Sequence, residues 1–125
     1  MYRSKQTGVD ESDWCRASLD EVKQNVAKTG YPYDKFNFVK GKVEDTLLTT
    51  LPDEIAVLRL DTDWYDSTKQ EMIHLFPRLV SKGVIIVDDY YSWTGSKQAV
   101  DEYLDSINLP VFLKRVGDSV MGVKP

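Results

Sequence analysis

The sequence predicts an α/β fold with a mostly parallel sheet, and three observations support this prediction. Two short apolar runs, residues 55–60 (IAVLRL) and 84–87 (VIIV), are typical of strands that are covered on both faces in a parallel sheet. Stretches with a helical spacing of apolar residues lie before, between and after these runs. Gly117 and Asp118 separate two further β-prone runs, which indicates a closing antiparallel hairpin with a type II′ turn.

Local signals place the other elements along the chain. Ser18 and Glu21 form a capping-box pattern at the start of the first helix, and Gly30 follows its end. Pro77 is expected to kink a later helix or to begin its last turn, and Gly83 to end it. The predicted elements are a helix over 18–29, a strand over 36–39, a short helix over 44–51 that Pro52 stops, helices over 67–82 and 96–107, and hairpin strands over 111–116 and 119–123.

Length and composition are those of one globular domain. The chain has 125 residues, of which 42% are hydrophobic and 29% charged, so we expect a single domain over 1–125 in which residues 1–17 form a flexible arm anchored by Trp14. The net charge of −4 argues against nucleic acid or an anionic membrane as a partner. Residues 83–87, the longest apolar run, are too few to span a bilayer, and the N-terminus lacks a signal-peptide core, so a cytoplasmic location is expected.

Carboxylates follow both apolar strands where each strand ends: Asp61 and Asp63 after the first, Asp88 and Asp89 after the second. Because neighbouring parallel strands lie about 4.8 Å apart and end at one edge of the sheet, we expect these side chains to converge. Close carboxylates repel one another unless a cation neutralises them, and Mg²⁺ prefers oxygen ligands. A chain with 1 Cys and 1 His offers neither a Cys-only zinc site nor a multi-His site. The alternative is that the acids cap the helices that follow them.

Three stretches resemble the macrocin O-methyltransferase family: residues 58–68 (LRLDTDWYDST), 83–90 (GVIIVDDY) and 99–103 (AVDEY). Residues 18–25 (SLDEVKQN) and 45–47 (DTL) are also similar, so the resemblance runs from Ser18 to the end of the chain. Members of that family are S-adenosylmethionine- and Mg²⁺-dependent enzymes that methylate sugar hydroxyls on natural products. The resemblance implies a partial Rossmann-like class I methyltransferase fold, with residues 18–125 as its C-terminal half.

The resemblance also implies roles for individual residues. They are the metal ligands Asp61, Asp88 and Asp89, the general base Asp63, and the substrate-side residues Tyr65 and Tyr90. In the implied reaction the metal holds two vicinal hydroxyls of a sugar-like acceptor and lowers the pKa of one of them. Asp63 then takes the proton, and the resulting alkoxide attacks the sulfonium methyl in line. No residue of this chain is assigned to cofactor binding.

The chain departs from the family in the half of the domain that binds the cofactor. Family members have an earlier strand with a glycine-rich turn and a second strand whose terminal acid holds the ribose. None of the 7 glycines here forms a G-x-G-x-x-G run, so we expect a truncated or divergent enzyme without the first two strands, inactive alone. The free edge of strand 55–60 is then expected to pair with residues 36–39 or to be covered by a second copy in a homodimer.

Two other functions remain open on the sequence alone. Metal-dependent glycosyltransferases place a D-x-D pattern after an apolar strand, and Asp61 and Asp63 match that pattern. The second acid pair is not expected in such an enzyme. Alternatively, the chain is a non-enzymatic interaction module derived from a methyltransferase, with solvated acids and with partner-binding aromatic residues in the loop, namely Tyr90, Tyr91 and Trp93.

Overall fold

A computed structural model describes residues 6–8, 11–12 and 17–125 of the chain. Its contacts divide the chain into two compact units, Met1–Lys40 and Gly41–Pro125, which are described in turn. Most of the arm predicted over residues 1–17, including the anchor Trp14, lies outside the described residues. The single-domain assignment and the flexibility of that arm stay predictions.

The first unit contains a pair of short strands, one α-helix and a 3₁₀ turn. They are β1 (Gln6–Gly8), β2 (Glu11–Ser12), α1 (Leu19–Ala27) and the 3₁₀ turn Tyr33–Lys35. The antiparallel pairing of β1 with β2 has no counterpart in the sequence prediction. The predicted capping box is present, because Glu21 N donates to Ser18 Oγ at 3.2 Å and Ser18 N donates to Glu21 Oε2 at 2.7 Å.

Residues 36–39 form no strand, so the strand predicted there is wrong. Phe36 packs edge-on against Tyr31 with ring centroids 5.6 Å apart, and Phe38 contacts Tyr33 at 5.8 Å. The aromatic side chains that suggested a sheet surface therefore pack against their own sequence neighbours. Pairing of this segment with residues 55–60 is wrong for the same reason, whereas covering of that edge by a second copy stays a prediction.

The second unit is a mixed α/β sheet with helices. Its elements are α2 (Val43–Thr46), β3 (Ile55–Leu60), α3 (Tyr65–Leu75), the 3₁₀ turn Phe76–Arg78, β4 (Leu79–Val87), α4 (Thr94–Ile107), β5 (Leu113–Val116) and β6 (Ser119–Val123). The strand order is β3-β4-β6-β5, with β3 parallel to β4 and the other two pairings antiparallel. The α/β class and the closing hairpin are confirmed, but the described sheet is mixed and not mostly parallel, because β6 of the hairpin pairs with β4 in the antiparallel direction. Val116 pairs with Ser119 across a two-residue turn, and Gly117 has a φ of +64°, as predicted.

Two helices of this unit end earlier than predicted. α2 stops at Thr46, and α3 stops at Leu75 because Pro77 cannot donate a backbone hydrogen bond and enters a 3₁₀ turn instead. Residues 79–82, predicted as helix, begin β4, and Gly83 lies inside that strand. The described helices are all too short or too polar to cross a bilayer.

The core of the second unit lies on the face of the sheet that packs against α3 and α4. Side chains from the strands and from both helices form one cluster that includes Leu58, Leu60, Ile85, Val87, Met72, Phe76, Val100 and Leu104. On the opposite face Val57 is 61% exposed, and Arg59 is exposed as well. The expectation that residues 55–60 are covered on both faces is therefore wrong, because this strand alternates between core and solvent.

Candidate functional site

Two acidic turns are neighbours at the carboxyl ends of β3 and β4. The first consists of residues 61–64 after β3, and the second of residues 88–93 after β4. Leu60 and Val87, the last residues of the two strands, are paired in register. Asp88 N donates to Leu60 O at 2.9 Å, so the parallel ladder continues one residue beyond β4. Asp61 and Asp88 therefore leave adjacent strands at the same level, which is where ligands bind in open α/β sheets.

Asp61 and Asp88 share one cationic partner, Arg59. Its Nη1 donates to Asp61 Oδ2 at 2.7 Å, and its Nη2 donates to Asp88 Oδ2. Arg59 and Asp61 are two residues apart on an extended chain, so their side chains lie on the same face. Sequence reasoning missed Arg59, although this spacing in a strand is a signal that could have indicated the pair.

The second oxygen of Asp88 is held by the C-terminal hairpin and by the backbone. Asp88 Oδ1 accepts hydrogen bonds from Ser119 Oγ at 2.6 Å and from Asp89 N at 3.1 Å. The hydrogen bond from Ser119 lowers the pKa of Asp88, and the charge of Arg59 acts in the same direction. Asp88 is therefore ionised at neutral pH, and both of its oxygens have partners.

Asp63 lies in the turn after β3 with little compensation for its charge. Its Oδ1 is buried and has no hydrogen-bond partner among the described residues, and its backbone adopts a left-handed φ of +64°. Burial raises the pKa of the Asp63 carboxyl, and the negative charges of Asp61, Asp89 and Asp88 raise it further. A carboxylate with a raised pKa and an unused acceptor oxygen is suited to accept a proton.

Asp89 begins the turn that leads from β4 into α4. It has a φ of +47°, and its carbonyl accepts hydrogen bonds from Ser92 N at 2.8 Å and Trp93 N at 3.0 Å. Trp93 in turn contacts Trp64 of the first acidic turn, with ring centroids 6.2 Å apart. The two acidic turns therefore pack against each other through their indole rings as well as through Arg59.

Both tyrosines predicted on the substrate side have hydrogen-bond partners on α4. Tyr65 Oη donates to Glu102 Oε2 at 2.6 Å. Tyr90, which is 6% exposed, donates its hydroxyl to Asp101 and accepts a hydrogen bond from Lys97 Nζ at 3.2 Å. These bonds attach each acidic turn to α4, which is a positioning contribution that the sequence did not indicate.

A buried glutamate beneath the first acidic turn is a further residue that sequence reasoning missed. Thr62 Oγ1 donates to Glu71 Oε2 at 2.9 Å and lies 3.3 Å from Thr68 Oγ1. Glu71 is 6% exposed, and burial raises the pKa of this carboxyl to about 7. A glutamate one turn after Thr68 and beside the buried Met72 was the available signal.

The donor set fits a hard divalent cation in chemistry but not in arrangement. Carboxylate oxygens are the ligands that Mg²⁺ prefers, and the unpartnered Oδ1 of Asp63 lies among like charges. Within the part of the chain that the structure describes, however, no three acidic, His or Cys side chains are grouped closely enough to hold one ion. The Arg59 guanidinium instead holds one oxygen each of Asp61 and Asp88.

Comparison with known proteins gives a family match over almost the whole chain. The family model described as macrocin-O-methyltransferase (TylF) matches residues 3–122. Demethyldecarbamoylnovobiocin O-methyltransferase of Streptomyces niveus is 40% identical over 86 residues, which are 69% of this chain and 33% of that protein. The 8-demethyl-8-(2,3-dimethoxy-alpha-L-rhamnosyl)-tetracenomycin-C 4'-O-methyltransferase of Streptomyces olivaceus is 36% identical over 85 residues, 68% of this chain and 32% of that protein. The chain spans about a third of the length of these relatives.

A solved structure supports the same comparison. The O-methyltransferase NovP superposes with a TM-score of 0.81 and 34% sequence identity, over 86% of this chain and 45% of that one. This similarity confirms the class I methyltransferase type of α/β fold that the sequence resemblance implied. The chain contains a part of that fold.

Proposed function

Because this chain belongs to the macrocin O-methyltransferase family, we propose that it supplies the acceptor-binding and proton-accepting part of an S-adenosylmethionine-dependent O-methyltransferase. The observation that carries the proposal is the buried, unpartnered Oδ1 of Asp63 in the turn after β3. The raised pKa of this carboxyl and the neighbouring acidic turn after β4 support the same assignment. The proposed acceptor is a sugar-like hydroxyl, because one relative is named for methylating a rhamnosyl tetracenomycin.

In this proposal Asp63 is the general base. Its Oδ1 accepts the proton of the acceptor hydroxyl, and its raised pKa makes it a stronger base than an ordinary aspartate. Tyr65 and Tyr90 keep the two acidic turns against α4 through their hydroxyl groups. Both tyrosines are proposed as residues on the substrate side of the site. S-adenosylmethionine, when bound, supplies the methyl group. No residue of this chain is proposed to hold it.

The proposal includes Mg²⁺ on the chemistry of the donor set. Asp61, Asp88 and Asp89 would hold the ion, where it would lower the pKa of an acceptor hydroxyl. The support for this assignment is the negative charge of Asp61, Asp89 and Asp88, which adds to the effect of burial in raising the pKa of Asp63. The separation of Asp61 and Asp88 by Arg59 means that the side chains have to rearrange before they share an ion.

The test combines binding with turnover. Titration calorimetry of the chain with Mg²⁺ and with S-adenosylhomocysteine, alone and together, establishes which groups bind. Release of S-adenosylhomocysteine from S-adenosylmethionine in the presence of rhamnosides then measures methyl transfer. A chain that binds Mg²⁺ but not S-adenosylhomocysteine is expected to be inactive alone and to supply only the acceptor part. If the chain does transfer methyl groups, we expect Asp63→Asn to lose transfer by about 100-fold or more, whereas Asp66→Asn, an exposed acid in the first turn of α3, leaves transfer unchanged.

Three outcomes would contradict the proposal. Unchanged transfer in Asp63→Asn would remove its proposed role as the base. Binding of a nucleotide sugar without binding of S-adenosylhomocysteine would favour the glycosyltransferase alternative. Binding of neither Mg²⁺ nor S-adenosylhomocysteine, together with capture of a protein partner by the loop that contains Tyr90, would favour the interaction module.

The homodimer is proposed from the edge of the sheet. Among the described strands β3 pairs with β4 alone, so one edge of β3 carries backbone groups without a strand partner. Such an edge favours pairing with another chain. Sedimentation equilibrium tests this proposal: a dimer mass supports it, and a monomer at high concentration contradicts it.

A further inference from the structure

We propose that Trp64 and Trp93 form a tryptophan platform on which the acceptor stacks one face of its sugar ring. The inference deepens the proposed function and rests on it, because it takes the acceptor to be sugar-like. Trp64 is the last residue of the first acidic turn, and Trp93 is the last residue of the second. Their ring centroids lie 6.2 Å apart with an interplanar angle of 39°, so the two indoles form one aromatic surface at this edge of the sheet.

Both tryptophans occupy positions where a different type of residue would stabilise a helix. Trp64 is the N-cap of α3 and Trp93 is the N-cap of α4, and neither side chain makes a capping hydrogen bond. An indole N–H can only donate, whereas Ser, Thr, Asp or Asn at this position accepts a hydrogen bond from the backbone, as Ser18 does on α1. Two neighbouring helices therefore lack the same local stabilisation, which is typical of a functional site.

The exposure of the two indoles supports the same interpretation. Trp64 is 49% exposed and Trp93 is 37% exposed, although large aromatic side chains stabilise a fold most when they are buried. The core cluster found among the described residues includes neither ring. Packing of the core therefore does not account for these side chains, and together they present apolar surface to solvent beside the acidic turns.

The backbone holds the two rings beside each other. Trp64 N donates to Thr62 O at 2.7 Å, which closes the first acidic turn tightly. Gly95 lets the start of α4 approach the start of α3, because a Cβ at this position would lie 2.9 Å from Tyr65 N. The platform is therefore already formed in the protein, and a ligand that binds there has few side chains to order.

A neutral sugar ring has the chemistry that this surface recognises. One face of a pyranose presents C–H groups, which carry partial positive charge and are attracted to the negative face of an aromatic ring. The hydroxyl groups extend from the rim of the same ring. Asp63 directly precedes Trp64, and its unpartnered Oδ1 can accept a hydrogen bond from such a hydroxyl. The aspartates of both turns repel anions, so a neutral sugar fits this surface better than a sugar phosphate.

Nuclear magnetic resonance of the ¹⁵N-labelled chain tests the platform without the need for turnover. The indole N–H signals are followed while methyl α-L-rhamnopyranoside is added in the absence of Mg²⁺ and S-adenosylmethionine. Trp64→Phe and Trp93→Phe each remove one signal and thereby identify it. We expect saturable shifts of both indole signals in the unmodified chain, because each ring contacts the sugar.

Affinities of variants then measure the contribution of each ring. We expect Trp64→Leu and Trp93→Leu to bind the rhamnoside about three- to tenfold more weakly, and the phenylalanine variants to lose less because they keep an aromatic face. Phe112→Leu is the matched control and should bind with unchanged affinity. Phe112 is 82% exposed and precedes β5 at the end of that strand away from the acidic turns.

Two further probes separate stacking of a sugar from other kinds of binding. Glycerol has vicinal hydroxyl groups but no ring, and we expect no saturable shift of the indole signals. An equal response to glycerol and to the rhamnoside would overturn stacking. Adenine offers a planar base without a sugar. Saturable shifts with adenine and none with the rhamnoside would assign the platform to the base of the cofactor and overturn its assignment to the acceptor.

The remaining outcomes distinguish this inference from the proposed function. Rhamnoside binding that shifts backbone signals of Thr62 and Asp63 but neither indole signal would overturn the platform and leave the acceptor-binding role intact. This comparison uses the unmodified chain, so it holds even where a leucine variant fails to fold. Absence of rhamnoside binding to the unmodified chain would instead overturn the acceptor-binding role, and the inference with it.

Discussion

Thr62 Oγ1 donates a 2.9 Å hydrogen bond to Glu71 Oε2, and this bond ties the turn between Asp61 and Asp63 to the middle of α3. Glu71 is buried and lies outside the acidic cluster itself. The position of the proposed base therefore depends on a side chain whose protonation changes near neutral pH.

Glu71→Gln tests this dependence through pH. Because burial raises the pKa of Glu71 from 4.5 to about 7, the folded chain keeps a proton that the unfolded chain has already released in that range. This carboxyl therefore makes the free energy of unfolding fall as pH rises from about 4.5 to about 7. Glutamine resembles the protonated acid and still accepts the Thr62 hydrogen bond. We expect the variant to match the unmodified chain at pH near 4 and to be more stable by roughly 1–3 kcal/mol near pH 8.

Urea denaturation at both pH values measures the effect. Glu54→Gln is the matched control, because Glu54 is an exposed glutamate in the same unit and should leave the pH dependence as it is. An unaltered pH dependence in Glu71→Gln would show that this carboxyl does not carry the effect.

Asp63→Asn should stabilise the fold while it removes the proposed base. The substitution eliminates repulsion by Asp61, Asp89 and Asp88, and asparagine adopts the left-handed φ of +64° readily. We expect the free energy of unfolding at pH 7 to rise by about 0.5–1 kcal/mol, and the gain to shrink at pH 3, where the carboxyl is protonated. Thermal unfolding at the two pH values checks this, and a loss of stability at pH 7 would contradict it.

Lys124→Met tests a lysine that caps the C-terminal end of α3 by donating hydrogen bonds to the carbonyl groups that follow this helix. Lys124 Nζ donates to the carbonyls of Phe76, Pro77 and Leu79 at 3.2, 3.3 and 2.6 Å. A positive charge at a helix C-terminus also interacts favourably with the helix dipole. We expect a loss of roughly 1–2 kcal/mol in the free energy of unfolding, measured in urea. Lys114→Met, at an exposed position on β5, should cost less, and equal losses would contradict the capping role.

Gly95→Ala tests the close approach of α4 to the start of α3. A Cβ at Gly95 would lie 2.9 Å from Tyr65 N and 3.3 Å from Tyr65 Cβ. We expect this overlap to cost about 1–3 kcal/mol, more than the roughly 1 kcal/mol that alanine gains over glycine in a helix. Urea denaturation measures the difference. Gln98→Ala, on the exposed side of α4, is the reference, and a Gly95→Ala variant as stable as the unmodified chain would contradict the predicted clash.

Elements with a local cause were predictable from the sequence. The bounds of β3 follow from an apolar run that ends at Asp61, and the start of α1 follows from the reciprocal bonds of Ser18 and Glu21. The turn at Gly117 follows from the ability of glycine to adopt a left-handed backbone, which Gly117 does in the structure. Each of these depends on interactions within a few residues, so the sequence displays them.

Elements that depend on distant partners were not predictable. Residues 79–82 have the apolar spacing of a helix, and pairing of Leu79 with Ile55 on β3 places them in a strand instead. Residues 36–39 have the composition of a strand, yet their rings pack on Tyr31 and Tyr33. In the first case a contact between distant residues decides the structure, and in the second case the aromatic side chains pack within their own segment instead of on a sheet.

The same distinction holds in the candidate site. The ends of the strands and the family resemblance indicated the aspartates. The residues that pair with them or hold their turns in position come from elsewhere in the chain. Arg59 precedes Asp88 by 29 residues, and Glu71 follows Thr62 by 9. Spacing along a single strand or helix cannot show that these groups meet.

The hydrogen bond from Ser119 to Asp88 has a consequence for the order of events during synthesis. Asp88 leaves the ribosome 31 residues before Ser119, and the backbone bond from Tyr91 N to Asp118 O, at 2.9 Å, joins the same two regions. A nascent chain that has reached α4 has therefore already made all four aspartates but lacks the strand that orients one of them. Asp88 therefore gains its hydrogen bond from Ser119 only once the hairpin has been translated and has paired with β4.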